Sequence, residues 1–267
     1  MINFNPNYKF ADAISKMNFK ILSYHTNHTH TFLGFYGYGQ NANVFNPFVR
    51  MIESHSNFIA FDLPYLDSDE TYNKQEFTQF ISRICEQKGI GIFSIISYSI
   101  GCRYALCLSE KLASKILNLF LIAPDGIQIS KIYLIATQSK IGRGLFLGFL
   151  KISTPIISIF YFFNKNFYYN EKFQFIFKNI QDKSKQKRLY NCWTKMKYMI
   201  PDLKIINHQI EIYSFQLISF FGKNDFIIKI KAAAKLKNQI PTAEIHLIDK
   251  GHQIFTHSTF QQIAAYY

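Results

Sequence analysis

Ser99, Asp225 and His252 carry the side chains from which a strong nucleophile can be made: a hydroxyl, a carboxylate and an imidazole. A serine hydroxyl is a poor nucleophile at neutral pH unless an adjacent base takes its proton. The three residues are far apart in the chain, so only the fold can bring them together. Each follows an apolar stretch: Ser99 follows Ile90–Ile96, Asp225 follows Phe215–Phe221, and His252 follows Glu244–Ile248. Strand tips at one edge of a parallel sheet converge, and that edge is where open α/β sheets bind ligands.

The elements around Ser99 set the geometry. Ile90, Ile92, Phe93, Ile95 and Ile96 form a short, β-branched run, the pattern of a strand buried on both faces. Cys102, Tyr104, Ala105, Leu106 and Leu108 predict a helix after Gly101. Between them, Ser97-Tyr98-Ser99-Ile100-Gly101 puts a serine at the tip of a sharp turn. Ser97 and Gly101 are small where the two backbones crowd. Upstream, the strand Thr31–Tyr36 runs into Gly37-Tyr38-Gly39-Gln40-Asn41, a glycine-rich turn whose N–H groups can face an anion. A dinucleotide-binding turn is the rival here, with Ala42 in the third glycine's place and Asp62 as the acidic residue. It leaves Ser99, Asp225 and His252 unexplained.

Together these residues resemble the α/β-hydrolase family. The Ser97–Gly101 pentad is similar to its nucleophile elbow, with Ser97 where the first glycine of G-x-S-x-G usually stands. The Gly37–Gly39 turn resembles the family's oxyanion loop, with Tyr36 in place of a histidine. Gly222-Lys223-Asn224-Asp225 and Gly251-His252 resemble the acid and base segments, and nucleophile, acid and base follow in the family's order. The resemblance runs from about Asn18 to the C-terminus. It implies an α/β fold, a mostly parallel sheet flanked by helices, with a core over 1–125 and 206–267 and a helical cap over 126–205.

The resemblance also implies roles. Ser99 would attack an acyl carbonyl, His252 would take its proton, and Asp225 would orient the imidazole. The backbone N–H groups of Tyr38 and Ile100 would hold the oxyanion. Gly37, Gly39, Ser97, Gly101 and Gly251 would shape the loops. The implied reaction is serine-dependent hydrolysis of an ester, thioester or similar acyl bond in a small, apolar substrate, with no cofactor and no metal. Haloalkane dehalogenases and epoxide hydrolases carry an aspartate at the elbow, which Ser99 argues against; carbon–carbon bond hydrolases keep the serine. Bland roles compete at each position: Ser99 as a turn hydroxyl, Asp225 as the N-cap of a helix starting near Phe226, and His252 as a loop residue with His257 as base. Asp125, after the strand Ile116–Ala123, is the reserve acid or a turn residue. His246 alternates within a strand and is expected on a sheet face away from the catalytic edge.

The 267 residues, 48% hydrophobic and 17% aromatic, suffice for one large α/β domain with an insertion or for two small domains. The net charge of +13 is concentrated: 126–205 holds 14 Lys/Arg and 3 Asp/Glu, a net of +11. Such a segment suits an anionic surface or a solvated helical face. No nucleic-acid-binding motif accompanies it, so no nucleic-acid partner is expected. The alternative to an enzyme is a non-catalytic hydrolase-fold protein whose basic, aromatic cap binds lipid or a membrane surface.

Within this segment Gly144–Phe163 is nearly apolar and has the length of a membrane span. Lys151 and Pro155 predict instead two cap helices broken at Ser153-Thr154-Pro155, since a central lysine costs ~2.5–3.5 kcal/mol on insertion scales. Lys140 and Arg143 before it and Lys165 after it suit a helix lying on an anionic membrane. Gln181–Arg188 predicts an exposed basic segment. Cys85, Cys102, Cys107 and Cys192 have no zinc spacing and no CxxC, pointing to reduced thiols and a cytoplasmic location, with peripheral membrane contact as a further expectation. The start at Met1 lacks a secretory pattern. His25, His28 and His30 lack a fourth ligand and predict a hairpin end.

Overall fold

Seven strands pair into one sheet in the order β1-β3-β2-β4-β5-β6-β7. They are β1 (Ile21–Tyr24), β2 (His30–Phe35), β3 (Ser56–Phe61), β4 (Phe93–Tyr98), β5 (Ile116–Ile122), β6 (Gln216–Gly222) and β7 (Glu244–Ile248). Only β1, on β3, is antiparallel; every other pairing is parallel. This computed structural model describes residues 21–24, 28–61, 71–163 and 171–267. Met1, His25, Asp62, Lys165 and the positions beside Asp62 lie outside the described residues. The α/β fold expected from the sequence, a mostly parallel sheet with flanking helices, is the fold found.

The central strands are almost continuously apolar because helices cover both faces. All of β3 and β4 is buried. The helices around the sheet are α1 (Asn46–Ile52), α2 (Lys74–Gln87) and α3 (Gly101–Ser109). The other helices are α4 (Lys131–Gln138), α5 (Lys140–Phe163), α6 (Glu171–Ile180), α7 (Lys183–Lys195), α8 (Leu203–Tyr213), α9 (Lys231–Gln239) and α10 (His257–Ala264). Asn73 and Glu76 close a reciprocal capping box on α2.

The described chain forms two compact units. One contains the sheet, with the chain up to Gln128 apart from Thr71 and again from Met199 to Tyr267; the other takes in Thr71 and Ile129–Tyr198, with α4 to α7 and the 3-10 turn Met196–Tyr198. The chain leaves β3 for the far side of β2 before entering β4, so β2 and β4 flank the point where the strand order reverses. Ligands bind at that point in open α/β sheets, at the carboxyl ends of the strands.

Three elements differ from the expectation. The hairpin expected around His28 and His30 does not form, because β1 pairs with β3 and not with β2. The strand expected from Ile90 begins at Phe93. Lys88 and Gly89 close α2, Gly89 adopts φ +65°, and Ile92 remains 58% exposed on the approach to the sheet. The stretch expected to break at Ser153-Thr154-Pro155 is one continuous 24-residue helix, α5, with Pro155 inside it. Proline there removes one helical hydrogen bond, at about 3 kcal/mol. Packing of α5 against α4, α6 and α7 outweighs that cost. Among the described residues, no helix is long and apolar enough to cross a membrane.

Candidate active site

β4 delivers Ser99 to the carboxyl edge of the sheet. Its φ is +51°, the left-handed region that a serine adopts only where the surroundings impose it. The surroundings are backbone. The Ser99 N–H donates to Ile122 O at 2.9 Å, and the Ser99 carbonyl accepts from Cys102 and Asp125 N–H at 3.0 and 3.1 Å. The tip is thereby tied to the end of β5 on one side and to α3 on the other. A β-carbon on Gly101 would stand 2.3 Å from Phe35 O and 2.5 Å from Tyr36 O, so only glycine lets α3 start so close to β2. Ser97 is fully buried, with its Oγ 3.1 Å from Phe120 O.

The end of β6 delivers Asp225, and the loop after β7 delivers His252. Ser99 Oγ lies 2.9 Å from His252 Nε2, and His252 Nδ1 lies 2.7 Å from Asp225 Oδ2. A carboxylate only accepts, so Nδ1 carries the hydrogen, and Nε2 is left to accept the serine hydroxyl's proton. The Asp225 side chain is fully buried while His252 keeps 12% of its exposure. Gly222 permits this approach of the two loops: a β-carbon there would stand 2.2 Å from Gly251 O.

The other sequence candidates fall around this chain of hydrogen bonds. Gly37 and Tyr38 follow β2, where a β-carbon on Gly37 would meet the Tyr98 ring at 2.7 Å. Gly39 takes φ +76°. Ile100 stands at the N-terminus of α3, whose first amides the helix itself does not use. Gly251 has no neighbour closer to a β-carbon than Asn224 O, at 3.9 Å. Asp125 does not reach His252: Arg103 holds it, Nε to Oδ2 at 2.9 Å and Nη2 to Oδ1 at 3.1 Å. His257 opens α10. His246 lies on a face of β7, stacked on Phe220 and 2.7 Å from Glu244 Oε1.

Two neighbours of the site carry no signal in the sequence beyond their position. Tyr98 donates from its hydroxyl to His252 O at 3.2 Å, and its ring stacks on Phe255. Burial pushes its phenol well above the ordinary range, with Asp225 and Cys102 adding to the shift, so it stays protonated as a donor. Cys102, in the first turn of α3, is also no rival nucleophile: burial pushes its thiol up to about 12. Among the described residues no cluster of His, Cys, Asp and Glu could hold a metal ion.

The chain belongs to the alpha/beta hydrolase fold family, whose model matches residues 30–257. Among solved structures it is similar to a carboxylesterase of the ammonia-oxidizing thaumarchaeon Nitrososphaera gargenis, at 13% identity and TM-score 0.65 over 93% of each chain. It is also similar to MenH from S. aureus, at 17% identity and TM-score 0.63 over 94% of this chain and 96% of that one. An esterase of Thermogutta terrifontis aligns at 13% identity and TM-score 0.64, over 93% and 92% of the two chains. At these identities the likeness is one of fold. No curated protein sequence matches the chain.

Proposed function

We propose that the protein is a serine hydrolase that cleaves an ester, thioester or similar acyl bond through Ser99, His252 and Asp225. The observation that carries the reading is the unbroken path from Ser99 Oγ through His252 to Asp225, at 2.9 and 2.7 Å. Ser99 Oγ attacks the acyl carbonyl as His252 Nε2 takes its proton. Asp225 holds the Nδ1 tautomer and stabilises the imidazolium. The Tyr38 and Ile100 amides receive the oxyanion, where loss of one donor costs ~2.7–4 kcal/mol in comparable sites. His252 returns its proton to the leaving group, and water, activated by the same imidazole, releases the acyl group and restores Ser99. Two of the structural neighbours are described as a carboxylesterase and an esterase, which accords with this chemistry. The helical unit Ile129–Tyr198 is read as the cap of the hydrolase core. Four free, buried cysteines accord with a cytoplasmic setting.

A fluorophosphonate probe should label the wild-type serine and leave Ser99→Ala unlabelled. Ser99→Ala and His252→Ala should each lose hydrolysis of short p-nitrophenyl esters while remaining folded, because members of such a unit fail together. Full activity in Ser99→Ala would overturn the reading.

A further inference from the structure

We propose that the outer face of α5, extended by α4, is a docking surface for an anionic lipid bilayer. The inference does not rest on the acyl-hydrolase reading, and it uses only the helical unit.

α5 has two unlike faces. On the inner one Leu150 and Ser153 are buried, and Phe146 stacks on Trp193 of α7 with ring centroids 4.9 Å apart. On the outer one Ile141, Leu145, Phe149, Ile152 and Ile156 are 54–78% exposed. At helical periodicity these five fall within about 80° of one another and rise over roughly 22 Å. On α4, Ile132 and Ile135 are 74% and 68% exposed. A continuous apolar ridge of this kind on a folded protein marks an interaction site.

Charge selects the occupant. No Asp or Glu occurs between Gly126 and Asn170. Lys131, Lys140 and Lys151 are exposed, and by helical spacing Lys140 and Lys151 share one flank of α5, about 80–100° from the nearer edge of the ridge. Their stems can lie along the apolar stripe while the ammonium groups reach a negatively charged headgroup layer. A second copy of the chain would bring the same cations together with no carboxylate to meet them. Arg143 is otherwise engaged, donating to Thr137 O at 3.0 Å. The basic run Lys183, Lys185, Lys187 and Arg188 belongs to α7, which packs on the inner face, so it does not form the ridge. α5 would lie in the plane of the interface with its ridge ~5–10 Å into the headgroup boundary.

The test uses the full chain with vesicles of phosphatidylcholine alone and of phosphatidylcholine mixed with phosphatidylserine. Binding is read by co-sedimentation and by the emission of Trp193, the single tryptophan. The wild type and Ser99→Ala should both bind the mixed vesicles, and less so as salt shortens the Debye length from ~8 Å at 0.15 M to ~3 Å at 1 M. Leu145→Asp with Phe149→Asp and Ile152→Asp should lose binding at least about tenfold, as charges enter the apolar layer. Lys140→Gln and Lys151→Gln should weaken it about fivefold each. Circular dichroism melts of each variant establish that it is folded. No binding to mixed vesicles, equal binding to both vesicle types, or unchanged binding by the folded triple variant would each overturn the proposal. So would a dimer in solution that the triple variant converts to monomer, which would make a second copy the occupant.

Discussion

Asp225 divides its two carboxylate oxygens between two tasks. Oδ2 faces His252 Nδ1, while Oδ1 accepts from the Ile227 and Ile228 N–H groups at 2.7 and 2.9 Å. The helix-cap and acid readings that compete in the sequence thus correspond to two atoms of one side chain, although α9 begins only at Lys231. The division makes a prediction. Asp225→Asn can keep Oδ1 on the turn, but its amide nitrogen faces His252 and drives the ring hydrogen to Nε2, which then cannot accept from Ser99. Activity should fall by about 10⁴ with little change in urea denaturation. Asp225→Ala should lose as much activity and a further ~1 kcal/mol of stability, because two turn amides lose their acceptor. Wild-type turnover in the Asn variant would remove Asp225 from the mechanism. The glycines separate in the same way. Gly101→Ala forces a β-carbon into two carbonyl oxygens and should cost about 1–3 kcal/mol in chemical denaturation. Gly251→Ala meets nothing closer than 3.9 Å and should melt like the wild type. The sequence motif marks both glycines alike. The steric demand between the Asp225 and His252 loops falls on Gly222, and nothing in one sequence distinguishes them.

At the scale of elements, what was legible depended on how local the cause is. The runs that form β5 and β6 are legible because burial on both faces leaves a nearly continuous apolar signature. The elbow could be read because its crowding demands small residues at fixed positions. The start of β4 could not: Ile92 is as apolar as Ile95, and only the path from Gly89 into the sheet leaves one exposed and the other buried. The Arg103–Asp125 ion pair beside the elbow was equally hidden, since two residues on different elements meet only in the fold. α5 departs from the expected break because proline's local penalty is visible in a sequence while the packing that outweighs it is not. Pro155 is exposed, so Pro155→Ala removes that penalty without opening a cavity. The helical gain of about 3 kcal/mol is partly offset by the freer unfolded chain, at about 0.4–1 kcal/mol. The melting temperature should therefore rise. A fall would mean that the proline ring makes packing contacts the helix needs.

Over the whole molecule the two ends of the sheet behave differently. The carboxyl end holds Ser99, Asp225 and His252. At the opposite end a polar cluster runs across four neighbouring strands. His30 on β2 contacts Ser56 on β3 and Ser94 on β4, each at 3.1 Å. The hydroxyl of Tyr267 meets Ser94 and accepts from Asn118 on β5 at 2.7 Å. The His30 ring lies 4.8 Å from that of Tyr267 and 4.9 Å from Phe32. Burial pushes the His30 imidazole down from 6.5 to about 4, with the charge of His55 adding to the effect. The folded state therefore resists a proton that the unfolded chain accepts. His30 contributes its full stabilisation above pH 6.5, and that contribution drains away as pH falls from there to about 4. Urea midpoints measured stepwise between pH 7.5 and 4.5 should show the wild type losing its advantage over His30→Gln as the solution becomes more acidic. Carboxylates titrating in the lower part of this range act on both proteins and cancel in the difference. A difference that stays constant across the range would mean that His30 takes up its proton as readily in the folded protein as in the unfolded chain.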